Sequence, residues 1–294
     1  MDAASAEAIS SALGYAKIGP SDIEAALVLQ RHKLYPQACY FLQQGVEKSS
    51  KAFALLIGAM KPEEAKGEVG HDSLKGLALH LPELVDDVKK ELAHLLKWLR
   101  EQPSPRGILA GSIVSYFVGT QPALEQIAKI LEQLKTESMK WPPIDDGFRR
   151  TMWQATLNLD SRRPEVASML SALDRMEKVE PLVVRASFPA LSWILGLVHA
   201  QRLMYLLHLY RASWRVAPLC GLTMWHEQAT RYQTEDGGPS DYAPTKPLVR
   251  LLPTLIGHAK VLSKEVELAS SLAARARFSF SQPSLGVPRS ATAL

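Results

Sequence analysis

An all-α fold, a multi-helix bundle built on an antiparallel helical hairpin and lacking any sheet, is predicted by three observations. Apolar residues recur at the three-and-four spacing of a buried helical stripe, as in Leu42, Val46, Phe53 and Leu56. No stretch alternates apolar and polar residues as a half-buried strand would. Neither an internal repeat nor a sustained heptad is present, which excludes solenoids and coiled coils. At 294 residues the chain is long enough to bury a sizeable core, and 47% hydrophobic with 22% charged residues is the balance of a globular protein.

Taken in order, Ala3–Lys17 has helical composition and is expected to stop at the Gly19-Pro20 break. Ser21 and Glu24 make a capping-box pattern that opens a second helix through Ala25, Ala26, Leu27 and Leu29 to about Lys33. Tyr35–Leu56 follows as one helix, with Pro36 in the first turn, where the amide it lacks would have no partner anyway. So short a connection predicts a hairpin. Lys61–Gly70 is a polar loop or a turn of helix. His71–His80 and Leu81–Glu101 are helical, the latter with Leu84, Val88, Leu92 and Leu95 on its apolar face.

Gln102–Gly107 (QPSPRG) breaks the chain and marks the best boundary. Residues 1–102 form one helical region, 103–277 add helices packing on it as one continuous domain, and 278–294 are a disordered tail. The later helices are Ile108–Val118, Pro122–Met139, Asp145–Asn158 and Arg163–Lys178. Pro181–Trp214 is expected as one long helix bent near Pro189, then a helix from about Cys220 to Tyr232, a loop at Asp236–Ser240, and a last helix, Leu248–Arg275.

Several function classes are set aside. The net charge of +4 permits an anionic partner, but Lys and Arg concentrate on no face or tail. Cys39 and Cys220 have no metal-ligand spacing, so no metal and no disulfide framework is expected, and Cys39 beside the apolar stripe reads as a buried thiol of a reducing, cytoplasmic compartment. The N-terminus lacks the basic start and apolar core of a signal peptide. Arg185, His199, Arg202 and His208 interrupt the apolar stretch Leu182–Tyr210, which argues against a membrane span. No Walker-type, dinucleotide-binding or nucleophile-elbow motif occurs, and no HExxH, so no cofactor is expected. The Glu91–His94 pair has no second copy to suggest a di-iron bundle, and six scattered Trp make no stacking platform.

Opposite the stripe of Tyr35–Leu56 runs a polar line of Tyr40, Gln44, Glu47 and Lys51, with Glu47 one turn before Lys51 in the favourable order. The run YPQACYFLQQGVEKSSKAFALL, with GHDSLKGL from Gly70, resembles the second helix and following segment of HEPN domains. Tyr35, Ala38, Gln43, Gln44, Glu47, Lys48 and Lys51 carry the likeness, with His71 and Asp72 opening the next helix. The Glu-Lys-x-x-Lys core followed by His71 and Lys75 is also similar to the abortive-infection V family of phage-defence proteins. The likeness covers about residues 20–100.

That resemblance implies a helical protein of nucleic-acid metabolism or of stress and phage defence, with RNA or a nucleotide as partner, and a homodimer or a protein partner besides. Ribonucleases of the family cut RNA without metal: an Arg steadies phosphate charge, and a His after four to six intervening residues moves a proton at the ribose 2′-oxygen or the leaving oxygen. Arg202 and His208 have that spacing, but Leu203 stands where the family has a polar residue. On an unbroken helix the two lie about 120° apart, so they would converge only at a local break or across a dimer. His199, Arg202 and Tyr205 lie nearer one face and would instead make a buried polar network. Glu47, Lys48, Lys51, His71, Asp72 and Lys75 form a second candidate polar site, against which stands a helix-start role for Asp72. Two readings stay open: a metal-independent endoribonuclease using Arg202 and His208, and a non-catalytic interaction protein with a degenerate site.

Overall fold

A computed structural model describes residues 5–66, 146–159, 197–226, 229–232 and 237–276, with single positions at 90, 97, 167 and 171. Among them the secondary structure is helical, with no strand, and the apolar side chains close into one core. Helix α1 is Ala6–Arg31, α2 is Tyr35–Leu56, α3 is Pro62–Lys66, α4 is Asp146–Leu157, α5 is Leu197–Thr223 and α6 is Pro247–Ala276. Two short 3-10 turns, Met224–His226 and Pro239–Asp241, lie between α5 and α6.

Helix α2 matches its predicted bounds residue for residue and is the central strut, packing against α1, α5 and α6. Leu42, Val46, Phe53 and Leu56 are all buried, and in the last two turns Ala52, Ala54 and Leu55 are buried as well, because neighbours close over several faces of α2. The antiparallel hairpin forms through the turn at His32–Leu34, where Lys33 takes a left-handed φ of 61°.

The break expected at Gly19-Pro20 does not occur: α1 is one helix, capped by Ser5 rather than Ser21, with the Ser5 Oγ accepting the Ala8 N–H at 3.1 Å. A proline inside a helix costs about 3 kcal/mol. The cost is met by tertiary packing, since Ala12, Ala16, Gly19, Ile23 and Ala26 form one buried stripe at helical spacing across Pro20. Small residues on that stripe let α1 lie close on α2. A Cβ on Gly45 would sit 2.4 Å from Ile23 Cγ1 and 3.1 Å from the Gly19 carbonyl oxygen, and one on Gly19 would meet Ser49 Oγ at 3.0 Å.

Helix α5 continues past the expected end at Trp214 to Thr223, through Pro218, so Cys220 belongs to it and no separate helix runs from Cys220 to Tyr232. Its contact with α2 and α6 buries Leu209, Trp214, Val216 and Leu219 and extends the helix beyond what local propensity indicates. Helices α4 and α6 agree with expectation to within a residue or so at each end, and α6 runs through Pro253. The expected bend at Pro189, the boundary at 102–107, the helices between 71 and 139 and at 163–178, and the tail lie outside the described residues.

Candidate functional site

Of the proposed Arg–His pair, α5 carries both positions without interruption, so Arg202 and His208 leave the helix about 120° apart. The Arg202 side chain lies outside the described residues; His208 is buried and faces α6. His208 Nδ1 donates to Glu265 Oε2 at 2.6 Å, and Arg211 NH2 lies 3.0 Å from Glu265 Oε1. The Arg211 contact is an ion pair that falls short of an aligned hydrogen bond. All three are at least nine-tenths buried: His208 is 7%, Arg211 5% and Glu265 3% exposed. One turn on, Arg215 is buried too, donating from NH1 to the Arg211 carbonyl at 3.1 Å.

A buried carboxylate engaged by two cationic or titratable partners is held through charge-assisted contacts. Carboxylate and cation each lose hydration on burial, so removal of either partner strands the other. The geometry at His208 admits two uses. A carboxylate on Nδ1 fixes the imidazole's orientation, as an orienting acid does for a catalytic base, or it neutralises charge inside a helix interface. Among the described residues, Nε2 has no hydrogen-bond partner.

The second candidate set lies partly on α2. Glu47 and Lys51 pair at 2.8 Å, Gln43 donates to Glu47 Oε2 at 2.9 Å, and Gln44 donates to Gln43 Oε1 at 2.7 Å. Lys48 instead reaches across to Asp22 on α1. Lys51 also stands over the Tyr15 ring, 5.8 Å from its centre, while the Tyr15 hydroxyl donates to the Ala65 carbonyl at 2.7 Å. The polar line therefore ties α2 to α1 and α3 rather than facing solvent alone. His71, Asp72 and Lys75 lie outside the described residues, so this set is brought together only as far as Glu47, Lys48 and Lys51.

Beneath that line, Ser50 on α2 meets Cys220 on α5 at 2.9 Å. Ser50 gives its own hydrogen to the Val46 carbonyl at 2.7 Å, so the thiol is the donor. Burial pushes the Cys220 thiol up to about 12, and the Glu47 carboxylate adds to the rise. Cys39 is likewise raised by burial, as expected of an inert thiol. Tyr205, expected in a polar network with Arg202, donates to the Leu56 carbonyl at 3.3 Å.

Glu265 and Arg211 were not singled out from the sequence. The available signal was Arg211 and Arg215 within the apolar run around Tyr210 and Trp214, since a charge inside a buried helix demands a partner. Nothing in the α6 sequence distinguishes Glu265 from the nearby Glu267. Among the described residues there is no group of His, Cys, Asp and Glu able to hold a metal ion, and no helix long and apolar enough to cross a membrane.

The fold and this cluster define a class, an all-α bundle with an ionic group buried between two of its long helices. Comparison with protein-family models, with curated proteins and with solved structures finds no match in any of the three.

Proposed function

We propose that this chain is a HEPN-like helical protein of nucleic-acid metabolism or of stress and phage defence, acting as a non-catalytic interaction module in the cytoplasm. The observation that carries this reading is the placement of His208. Its Nδ1 is held by Glu265 within the α5–α6 interface, on an unbroken helix where position 202 lies about 120° round the axis. A family-type site needs Arg and His directed at one phosphate, and a single copy of α5 does not provide that. The Gln43, Gln44, Glu47, Lys48 and Lys51 run supports the family likeness, and here those side chains hold helices together. RNA or a nucleotide is the partner this reading implies, with self-association the second.

One observation favours the catalytic alternative. A carboxylate on Nδ1, with no described partner on Nε2, is the arrangement a proton-transferring imidazole uses, and a second copy of the chain would supply an Arg202. In that case His208 would take the proton from the ribose 2′-hydroxyl as its oxygen attacks phosphorus and the P–O5′ bond breaks.

Incubating purified protein with mixed cellular RNA in excess chelator, beside His208→Ala, separates the two. The interaction reading expects no cleavage by either protein, with labelled single-stranded RNA retained intact. Cleavage by the wild type that disappears in His208→Ala overturns it in favour of a metal-independent ribonuclease.

A further inference from the structure

Helix α4 is fastened to the bundle by a chain of hydrogen bonds that the proposed function does not use. Trp153 Nε1–H donates to the Tyr242 hydroxyl oxygen at 3.0 Å, that hydroxyl lies 2.7 Å from His226 Nδ1, and His226 Nε2 lies 2.9 Å from Thr156 Oγ1. Thr156 gives its own hydrogen to the Met152 or Trp153 carbonyl, at 2.9 and 3.0 Å, which leaves its oxygen to accept from Nε2. Followed around, one arrangement gives every hydrogen an acceptor: indole to phenol, phenol to Nδ1, Nε2–H to threonine, threonine to its own helix. The imidazole in that arrangement is neutral.

The site is enclosed and tightly fitted. His226 is 1% exposed, and Tyr242, Trp153 and Thr156 are buried around it. The Trp153 ring lies against Gly237, whose φ of 139° and missing side chain make the room; a Cβ there would stand 2.3 Å from the indole and 2.6 Å from Asp241 Oδ2. Asp241 closes the same turn by accepting the Gly238 N–H at 2.8 Å. The described contacts of α4 with the rest of the bundle are chiefly with the Met224–His226 turn, α6 and the 237–242 segment.

We propose that this relay is an acid-released latch: protonation of His226 undocks α4 and the 237–242 segment while the core of α1, α2, α5 and α6 stays folded. A proton on Nδ1 occupies the place of the Tyr242 hydroxyl hydrogen, so the phenol must turn its own hydrogen away, and the new N–H is left to a phenol oxygen already accepting from Trp153 or to the Leu222 carbonyl. Burial holds the Tyr242 phenol in its neutral form, and the described titratable groups on its side of the pair are Cys39 of α2 and Asp241 of the turn. Among the described residues, no carboxylate or cation of α2, α4, α5 or α6 acts on the imidazole itself. Burial lowers it to about 3, with the Leu222 carbonyl pulling weakly the other way. In the released form the ring returns to its ordinary value of about 6.5. Between those limits the released state binds a proton that the docked state refuses, so its population grows by up to about tenfold per pH unit.

The test is amide hydrogen exchange on the full chain at pH 7.5, 6.0 and 5.0, corrected for intrinsic rates, comparing amides of 146–157 with those of α2. The protection of α4 relative to α2 is expected to fall by about tenfold or more between pH 7.5 and 5.0 in the wild type. In His226→Gln, which keeps an acceptor and a donor but does not titrate, it should stay level. Tyr242→Phe should lose α4 protection already at pH 7.5. A flat wild-type ratio, an equal slope in His226→Gln, or loss of α2 protection in parallel overturns the latch. Should His226→Gln not fold, the wild-type Trp153 indole N–H resonance, identified by its loss in Trp153→Phe, must shift in step with the α4 amides, and an unmoved resonance overturns the proposal.

Discussion

The two principal helix contacts, α1 on α2 and α5 on α6, are built on opposite principles. Between α1 and α2 the seam is small and apolar: Gly19 and Gly45 bring the backbones together, and Ala12, Ala16 and Ala26 line the rest. Between α5 and α6 the contact buries charge, with His208 and Arg211 on one helix closing on Glu265 of the other. The first depends on shape, because close-packed interiors tolerate neither a gap nor an added methyl group. The second depends on pairing, because each buried charge is stable only while its partner remains. One interface should therefore fail when a side chain is enlarged, and the other when a carboxylate is removed.

The largest effect is expected from Glu265→Ala, which removes the Arg211 ion pair and leaves His208 Nδ1 without its acceptor; denaturant unfolding should show a loss of about 3–5 kcal/mol. Replacing the triad together, by His208→Leu, Arg211→Met and Glu265→Leu, should recover most of it, and failure to recover would mean the cluster does more than neutralise charge. Next comes Gly45→Val, whose branches would press on Ile23 and the Gly19 carbonyl; overpacking of this kind costs about 1–3 kcal/mol. The ion pair across that seam, Lys48 with Asp22, is only partly buried and remote from the α5–α6 cluster in the chain, so Gly45→Val should leave hydrogen exchange around His208 nearly unchanged below global unfolding.

A comparable loss is expected from acid. Because the folded-state value of His226 is lowered to about 3, the unfolded chain binds the extra proton below about pH 6.5. Stability from this group is thus complete above that pH and declines as pH falls toward 3, by about 2 kcal/mol between 6.5 and 5. His226→Gln should flatten that part of the pH profile, and an unchanged profile would remove His226 as its source. The smallest effect is at the end of α1, where Ser5→Ala deletes the cap on the Ala8 amide and should cost about 1 kcal/mol.

How far each region could be read in advance follows from where its interactions lie along the chain. Helix α2 was legible to the residue because its start at Pro36, its stripe and its lack of internal breakers are local properties. The supposed break at Pro20 was misread for the same reason. Local preference disfavours proline in a helix, but the stripe that pulls α1 through Pro20 acts by contact with Gly45 and Ser49, more than twenty residues away. His208 was picked out by its spacing from Arg202, whereas its described partner, Glu265, lies 57 positions away on another helix. Trp153 and Tyr242 are 89 positions apart, and no motif links them.

The amino-acid sequence by itself determined the all-helical class, the hairpin of α1 and α2, the bounds of α2 and the burial of Cys39, since periodicity, turn length and composition act over a few residues. Tertiary structure alone decided that α1 runs through Pro20, that His208 closes on Glu265, and that His226 is enclosed by Trp153, Thr156 and Tyr242. Each of these rests on free energy gained only when distant segments exclude water together. A buried charge or hydrogen bond acquires its partner from that assembly and not from its neighbours in the chain.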